Sequence, residues 1–227
     1  MPQSAPLDHV FPDRVFAFKE QENLNAAWRD VLSMGTRSLL AKGTSLPLGT
    51  SLYFLEQGKV RLSFISKNGL EKVVMFIASG SIFGEAPFFS GLPVVNSFFE
   101  CRQKCLVYSF ARPVVERICS ERPDLAMNLM QAMGRKLRLL FEQASSLYLH
   151  SLRRRTFRFL QQRIVPGTTP PTAKLGISKQ EMASLLGVHR ISLYKLLREC
   201  EDEGILAQVR GDRFAILNME AFLAELD

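Results

Sequence analysis

The stretch Ile177–Cys200, reading ISKQEMASLLGVHRISLYKLLREC, restricts the fold more than any other part of the chain. Its spacing specifies two short helices joined by a sharp turn, the second of them basic. Ile177, Met182, Leu185 and Leu186 mark the inner face of the first helix. Ser178 stands where an N-cap belongs and Glu181 follows three residues later, a capping box in which side chain and backbone satisfy each other's orphan donors. Gly187 marks the break, because a residue without Cβ takes positive φ cheaply. Val188, Ile191, Leu193, Leu196 and Leu197 then supply an apolar stripe for the second helix. His189, Arg190, Ser192, Lys195 and Arg198 are left largely on the other side. A helix-turn-helix that lays its second helix in the major groove needs this layout.

Such a motif requires an anionic partner, and the charge agrees. The chain carries a net +7. Between residues 150 and 200 ten basic residues stand against only Glu181 and Glu199, and the acidic run Glu201–Asp202–Glu203 ends the patch. Neutralising phosphates with such a patch gives affinity and salt dependence without reading sequence. At 227 residues, 47% hydrophobic and 22% charged, the chain is expected to fold into two domains or one large one. No apolar run approaches the roughly 20 residues that span a bilayer, and the opening MPQSAPLDHV lacks the features of a signal peptide. A cytoplasmic protein without a membrane partner is expected. Cys101, Cys105, Cys119 and Cys200 form no CxxC pair and have no histidine at zinc spacing. They read as structural thiols, with no metal site or cofactor.

From about Arg37 to Phe110 the chain reads as short strands punctuated by glycines. Ser51–Leu55 and Lys59–Phe64 flank Glu56–Gln57–Gly58, and Val73–Ile77 follows Lys67–Asn68–Gly69. Turn signals at Ser79–Gly80–Ser81 and Phe83–Gly84–Glu85 precede strands at Ser97–Phe99 and Leu106–Phe110. This spacing indicates a β-sandwich, roll or barrel. Pro113–Cys119 reads as a short helix. Beyond Pro123, Ala126, Met130, Met133, Leu137, Leu140, Ala144 and Leu147 recur at 4-3-4-3-4-3, with Gln131, Arg135, Lys136, Arg138 and Glu142 elsewhere. That heptad seam predicts a two-stranded coiled coil and hence a parallel homodimer.

A further helix is expected over Ser151–Ile164, after a break near Leu149–His150, and Pro166–Pro171 reads as a loop. Ile205–Val209 and Arg213–Ile216, joined by Arg210–Gly211–Asp212, form a hairpin or wing, and Asn218 caps a closing helix Met219–Leu226. The expected domains are a β-roll over 1–122, the long dimerisation helix over 123–149 and a winged helix-turn-helix over 150–227, an α+β fold.

A glycine-punctuated β-roll, a long dimerising helix and a winged helix occur in this order in one family. The chain resembles the CRP/FNR family of bacterial transcription regulators, relatives of the cyclic-AMP receptor protein. The resemblance runs from about residue 38 to 217. It rests on L-Y-F-L-E-Q-G-K-V-R-L (Leu52–Leu62), on Gly84–Glu85 after Gly80, on Arg155, and on S-K-Q-E-M-A-S-L-L-G-V-H-R-I-S-L-Y-K. It implies a double-stranded β-roll like the cyclic-nucleotide-binding jelly roll and a small-molecule effector held between roll and long helix. Binding would re-angle the DNA-binding domains about a hinge near Leu149–Ser151, a population shift between two dimer geometries. It also implies palindromic double-stranded DNA and RNA polymerase as partners.

The departures redirect the effector and the operator. In cyclic-nucleotide binders an Arg-Ser pair after Gly-Glu holds the phosphate; here Val95–Asn96 stand in those places. Leu140 and Phe141 replace hydroxyl side chains facing the base. The resemblance therefore assigns Gly84, Glu85, Val95, Asn96, Leu140 and Phe141 to an effector site suited to an apolar or aromatic molecule, as in the family's halogenated-phenol sensors. Permanently active members without a ligand are an alternative, as is a thiol switch; Cys101 and Cys105, four apart, would share a strand face. Iron–sulfur sensing is disfavoured because no cysteine precedes Cys101, and haem sensing because His9, His150 and His189 are poorly placed. In the recognition helix the family's base-reading Glu is Ile191, Arg190 is retained and Lys195 replaces an Arg. Arg190 is expected to contact guanine, Ile191 a thymine methyl, and His189 and Ser192 bases or phosphate. Lys179 and Gln180 are expected on phosphates. Two rival readings are a regulatory module acting through a protein partner and a cupin-like enzyme; the latter lacks the histidines its metal would need.

Overall fold

Strand β3 (Leu52–Gln57) shows how the N-terminal unit is built. Leu52, Tyr53, Phe54 and Leu55 are all buried, so the strand is covered on both faces. Tyr53 and Leu55 join Val60, Val74, Ile77, Phe83, Phe99 and Val107 in one core. Leu52 and Phe54 turn the other way, into a second core with Trp28, Phe88, Phe110, Val115, Leu125 and Leu129. In the computed structural model, which describes residues 23–49, 51–67, 69–92 and 94–226, these cores organise the described residues up to Leu140. His9, the N-terminal stretch and Asn68 of the predicted turn lie outside the described residues.

Two four-stranded antiparallel sheets make the roll. One has the order β1-β8-β3-β6, from β1 (Thr36–Leu40), β8 (Cys105–Phe110), β3 and β6 (Ser81–Phe83). The other runs β2-β7-β4-β5, from β2 (Ser45–Leu46), β7 (Ser97–Cys101), β4 (Lys59–Ile65) and β5 (Glu71–Ala78). Gly58 between β3 and β4 has φ 106°, and a Cβ there would stand 2.6 Å from Cys105 Sγ, so only glycine fits.

Two expectations need correction here. Ser79–Glu85 is more than turns: β6 occupies its centre and α1 (Glu85–Ser90) begins at its end, because Ser81, Ile82 and Phe83 are all buried. Cys101 and Cys105 do not share a strand face. Cys101 ends β7 and Cys105 opens β8, so the turn between them carries the chain from one sheet to the other. Both are buried, and burial together with the neighbouring Cys105 pushes the Cys101 thiol up to about 12. Burial likewise raises Cys119, and raises Cys200 to about 11. Three of the four thiols are thus held protonated, which disfavours thiolate chemistry.

A 3₁₀ helix (Ala26–Met34), α1 and α2 (Arg112–Glu121) cover the outer core. The long helix α3 (Pro123–Leu149) has two different faces. Leu125, Leu129 and Ala132 are buried, the first two in the outer core. Met130 (56% exposed), Met133, Leu137 (53%), Leu140 and Leu147 of the predicted seam face out.

The second unit is built on Phe141–Met182 and the chain from Arg190. It contains α4 (Leu152–Gln161), the first residues of α5 (Lys179–Leu186), α6 (Arg190–Asp202) and α7 (Met219–Ala224), while Ala183–His189 group with the first unit. Its four-stranded sheet has the order β11-β12-β10-β9, from β9 (Ile164–Val165), β10 (Thr172–Lys174), β11 (Leu206–Arg210) and β12 (Arg213–Ile216). Ile164, expected to end a helix, pairs with Ala173 in this sheet. Phe157, Phe159, Leu160, Met182, Leu193, Leu197, Cys200, Phe214 and Phe222 are buried, with the Phe157 and Phe222 ring centroids 5.0 Å apart. Among the described residues no helix is long and apolar enough to cross a membrane.

Candidate nucleic-acid interface

Local chemistry sets the two helices of the motif. The Glu181 N–H donates to Ser178 Oγ at 3.1 Å, so Ser178 caps α5 as its sequence position demands. Gly187 takes φ 69° and ends the helix. Leu193, Leu196, Leu197 and Cys200 then give α6 its buried stripe, at three-and-four spacing. Ile191, expected in that stripe, is 65% exposed; Cys200 holds the inward position instead. The geometry requires this, since Ile191 is two residues from Leu193 and so lies on the far side of the helix.

The outward face of α6 carries Arg190, Ile191, Ser192, Tyr194, Lys195 and Arg198, with His189 just before it, all exposed. Among the described residues the side chains of Arg190, Ser192 and Arg198 make no hydrogen bond or ion pair. Lys195 has only a loose i,i+4 contact with Glu199, at 3.9 Å on an exposed surface. The first turn of α6 therefore holds the unpartnered side chains of Arg190 and Ser192 beside an exposed apolar group, at the N-terminal end from which recognition helices reach base edges.

Two expected phosphate contacts differ from one another. Gln180 is exposed. Lys179 is already engaged: its Nζ donates to Gln208 Oε1 at 2.6 Å and sits 5.7 Å from the Tyr194 ring centroid and 5.6 Å from that of Phe214. It ties the first helix to the wing. Gln208 in turn donates to the Gly211 carbonyl, holding the wing tip. At that tip Arg210 and Arg213 stand directly opposite, both exposed. Like charges so placed repel unless an anion lies between them. Tyr194, Gln208, Arg210 and Arg213 adjoin the expected residues without being among them; the basic residues flanking Gly211–Asp212 are the sequence signal for two of them.

The basic run before the motif is only partly an outward patch. Arg153 pairs with Glu203 and, at 2.6 Å, with Glu225. Arg155 is buried. Arg163 donates to the Phe159 carbonyl at 3.2 Å and lies 3.7 Å from the Phe159 ring centroid; burial lowers it to about 10. These cations hold the unit together.

The six expected effector residues come from three parts of the chain. Gly84, at φ 89°, starts α1, and Glu85 is buried. The Glu85 carboxylate accepts from Lys136 of α3, which also donates to the Ile82 carbonyl. In the heptad pattern Lys136 is one of the polar positions off the seam. Val95 and Asn96 stand exposed on the turn before β7, where the Asn96 carbonyl accepts from Ile65 N–H. Leu140 closes the first unit and Phe141 (64% exposed) opens the second.

Comparison with known proteins meets this geometry from both ends. The family model for the cyclic nucleotide-binding domain matches residues 42–122, and that for the Crp-like helix-turn-helix domain matches 148–225. The cAMP-activated global transcriptional regulator CRP of Pasteurella multocida is 23% identical over 160 residues, covering 69% of this chain and 77% of that protein. The Global nitrogen regulator of Synechococcus elongatus is 23% identical over 173 residues, covering 74% and 77%. Among solved structures, a CooA mutant from Carboxydothermus hydrogenoformans superposes with a TM-score of 0.72 at 19% identity, covering 91% of this chain and 97% of that one. CprK in its OCPA complex gives 0.69 at 16% identity, covering 88% and 93%.

Proposed function

The chain belongs to the CRP/FNR family of transcription regulators, and from that premise we propose that it works as a homodimer on an inverted-repeat operator. The family is one of regulators, not enzymes. The carrying observation is the outward face of α6, where Arg190, Ser192 and Arg198 have no internal partner beside exposed Ile191. Arg190 reads guanine bidentately and Ile191 meets a thymine methyl, while Gln180, Arg210 and Arg213 take phosphates. The exposed seam Met130, Met133, Leu137, Leu140, Ala144 and Leu147 pairs two copies in parallel. Half-sites then lie about 10–10.5 bp apart per helical turn, because the operator mirrors the two-fold axis.

The effector is a small apolar or aromatic molecule, not a cyclic nucleotide. Val95 brings no charge where a cyclic phosphate needs one, and the Glu85 carboxylate is already taken by Lys136. CprK, solved with OCPA, and CLP, described as c-di-GMP responsive, have similar folds, so the fold accommodates unlike effectors. The regulator works in the cytoplasm and acts on RNA polymerase.

Selection from randomised duplex DNA with purified, effector-free protein at near-physiological salt tests the reading. An inverted repeat is expected. If enrichment stays absent even with cell-extract small molecules added, DNA is not the partner and a protein-binding module replaces this reading. Sedimentation tests the seam: Leu137→Lys is expected to yield monomer, and an unchanged dimer places the interface elsewhere.

A further inference from the structure

The junction of α3 and α4 gathers donors that no acceptor satisfies. His150 follows α3, and its backbone N–H donates to the Ser146 carbonyl at 3.1 Å, so the two side chains lie one turn apart on one face. Arg158 Nη1 lies 2.9 Å from His150 Nε2. A guanidinium only donates, so Nε2 accepts and the ring is neutral with its proton on Nδ1. That Nδ1 is buried without a hydrogen-bond partner, as are Ser146 Oγ and Arg154 Nε. Ser146 is only 1% exposed. Three buried donors from three residues, with nothing to receive them, are a costly arrangement that calls for an acceptor.

The surroundings fix the sign of that acceptor. Burial keeps the His150 ring below its ordinary pKa, and Arg158, Arg154 and Arg155 press in the same direction; the Leu149 backbone opposes them. Three guanidiniums thus act on one neutral imidazole. Helix dipoles do not resolve this, since the negative end of α3 and the positive end of α4 meet here and offset. A water would satisfy some donors but leave the charge unanswered. His150, Arg154 and Arg158 are half-buried, so these residues reach the surface although the three donor atoms themselves are buried.

We propose that this junction is a binding site for a small phosphate-class oxyanion, accepting from Ser146 Oγ, His150 Nδ1–H and Arg154 Nε–H. Several acceptor oxygens on one centre suit donors drawn from three residues of one junction, and charge-assisted bonds to guanidinium are the strong ones. The site spans the end of one helix and the start of the next, so occupancy stiffens the α3–α4 connection.

The test uses the full chain labelled with ¹⁵N-histidine, titrated with inorganic phosphate against chloride at constant ionic strength. The sequence holds only three histidines, and His189 on the α6 side serves as internal control. Expected is a saturable shift of the His150 ring nitrogens, with the His150 pKa rising as the anion binds. Arg154→Gln and Ser146→Ala each weaken that response at least tenfold while leaving the thermal midpoint without phosphate within a few degrees. His150→Asn, which keeps a donor near the Nδ1 position, retains binding by a calorimetric titration in which His150→Phe loses it. No saturable shift, or the same shift in both variants, overturns the site. If His150 responds only to duplex DNA and Arg154→Gln lowers the salt slope of DNA binding by about one, the acceptor is a backbone phosphate and the small-anion site is rejected. None of the phosphate readouts needs an operator, so the failure of the DNA reading would be seen separately.

Discussion

The two units use charge in opposite ways. In the first, cations near the sheets have carboxylate partners: Arg29 with Glu56 at 3.0 Å, Arg61 with Glu71 at 2.9 Å and Glu100 at 2.6 Å, Lys136 with Glu85. In the second, pairing is concentrated behind the motif, where Arg153 holds Glu203 and Glu225. Ahead of it Arg190 and Arg198 on α6 have no partner among the described residues. A paired, half-buried charge fixes local geometry and contributes little field at a distance. An unpartnered one on an exposed helix keeps its full attraction for a polyanion. The difference separates a unit built to hold a shape from one built to meet something else.

The strongest way to break this comparison is to strip a paired charge. Lys136→Met leaves the Glu85 carboxylate buried without its counter-ion, and urea unfolding is expected to lose about 3 kcal/mol or more. The double variant with Glu85→Gln should recover most of that. A loss below about 1 kcal/mol would mean the pair is not structural. The matching change in the second unit is Arg190→Ala. It is expected to cost about 1–3 kcal/mol of affinity for the best operator and to relax one position per half-site, with the thermal midpoint unchanged. A cost below about 1 kcal/mol rejects its base-reading role.

Two smaller effects sharpen the picture. Ser178→Ala removes the cap of α5 and should cost about 1 kcal/mol in unfolding, and weaken DNA binding only to the extent that α5 frays. The smallest concerns His150, whose folded pKa is lowered from 6.5, first by burial and then by Arg158 and Arg154. The unfolded chain therefore binds the proton first as pH falls below about 6.5, so stability rises with pH across that window. Acidification from pH 7.5 to 5.5 should lower the urea midpoint of the native chain more than that of His150→Phe. Equal slopes would remove His150 from the account.

Much of the motif was legible because its signals are local. Ser178 caps the helix it precedes, Gly187 takes the positive φ that ends it, and Asn218 accepts from the Ala221 N–H at 3.0 Å to start α7. Each needs only neighbours within four residues. The run Ser81–Phe83 was harder, because three buried residues between two glycines look like a turn until β3 is beside them. Ile191 was misjudged for a different reason. Counting apolar residues along α6 admits it to the stripe, whereas the helical angle from Leu193 excludes it.

The sequence alone determined the caps of α5 and α7, the glycine break after α5 and the apolar seam on α3, all properties of residues within four of one another. Only the tertiary structure decided which charges are used up. Lys136 meets Glu85 across 51 residues of chain and Arg153 meets Glu203 across 50, and nothing in the spacing of either distinguishes them from Arg190. A basic residue is the same letter whether it holds a carboxylate, stacks on Phe159 as Arg163 does, or waits on an exposed helix. Coulomb attraction and desolvation depend on distance and burial, and those exist only once the chain has folded.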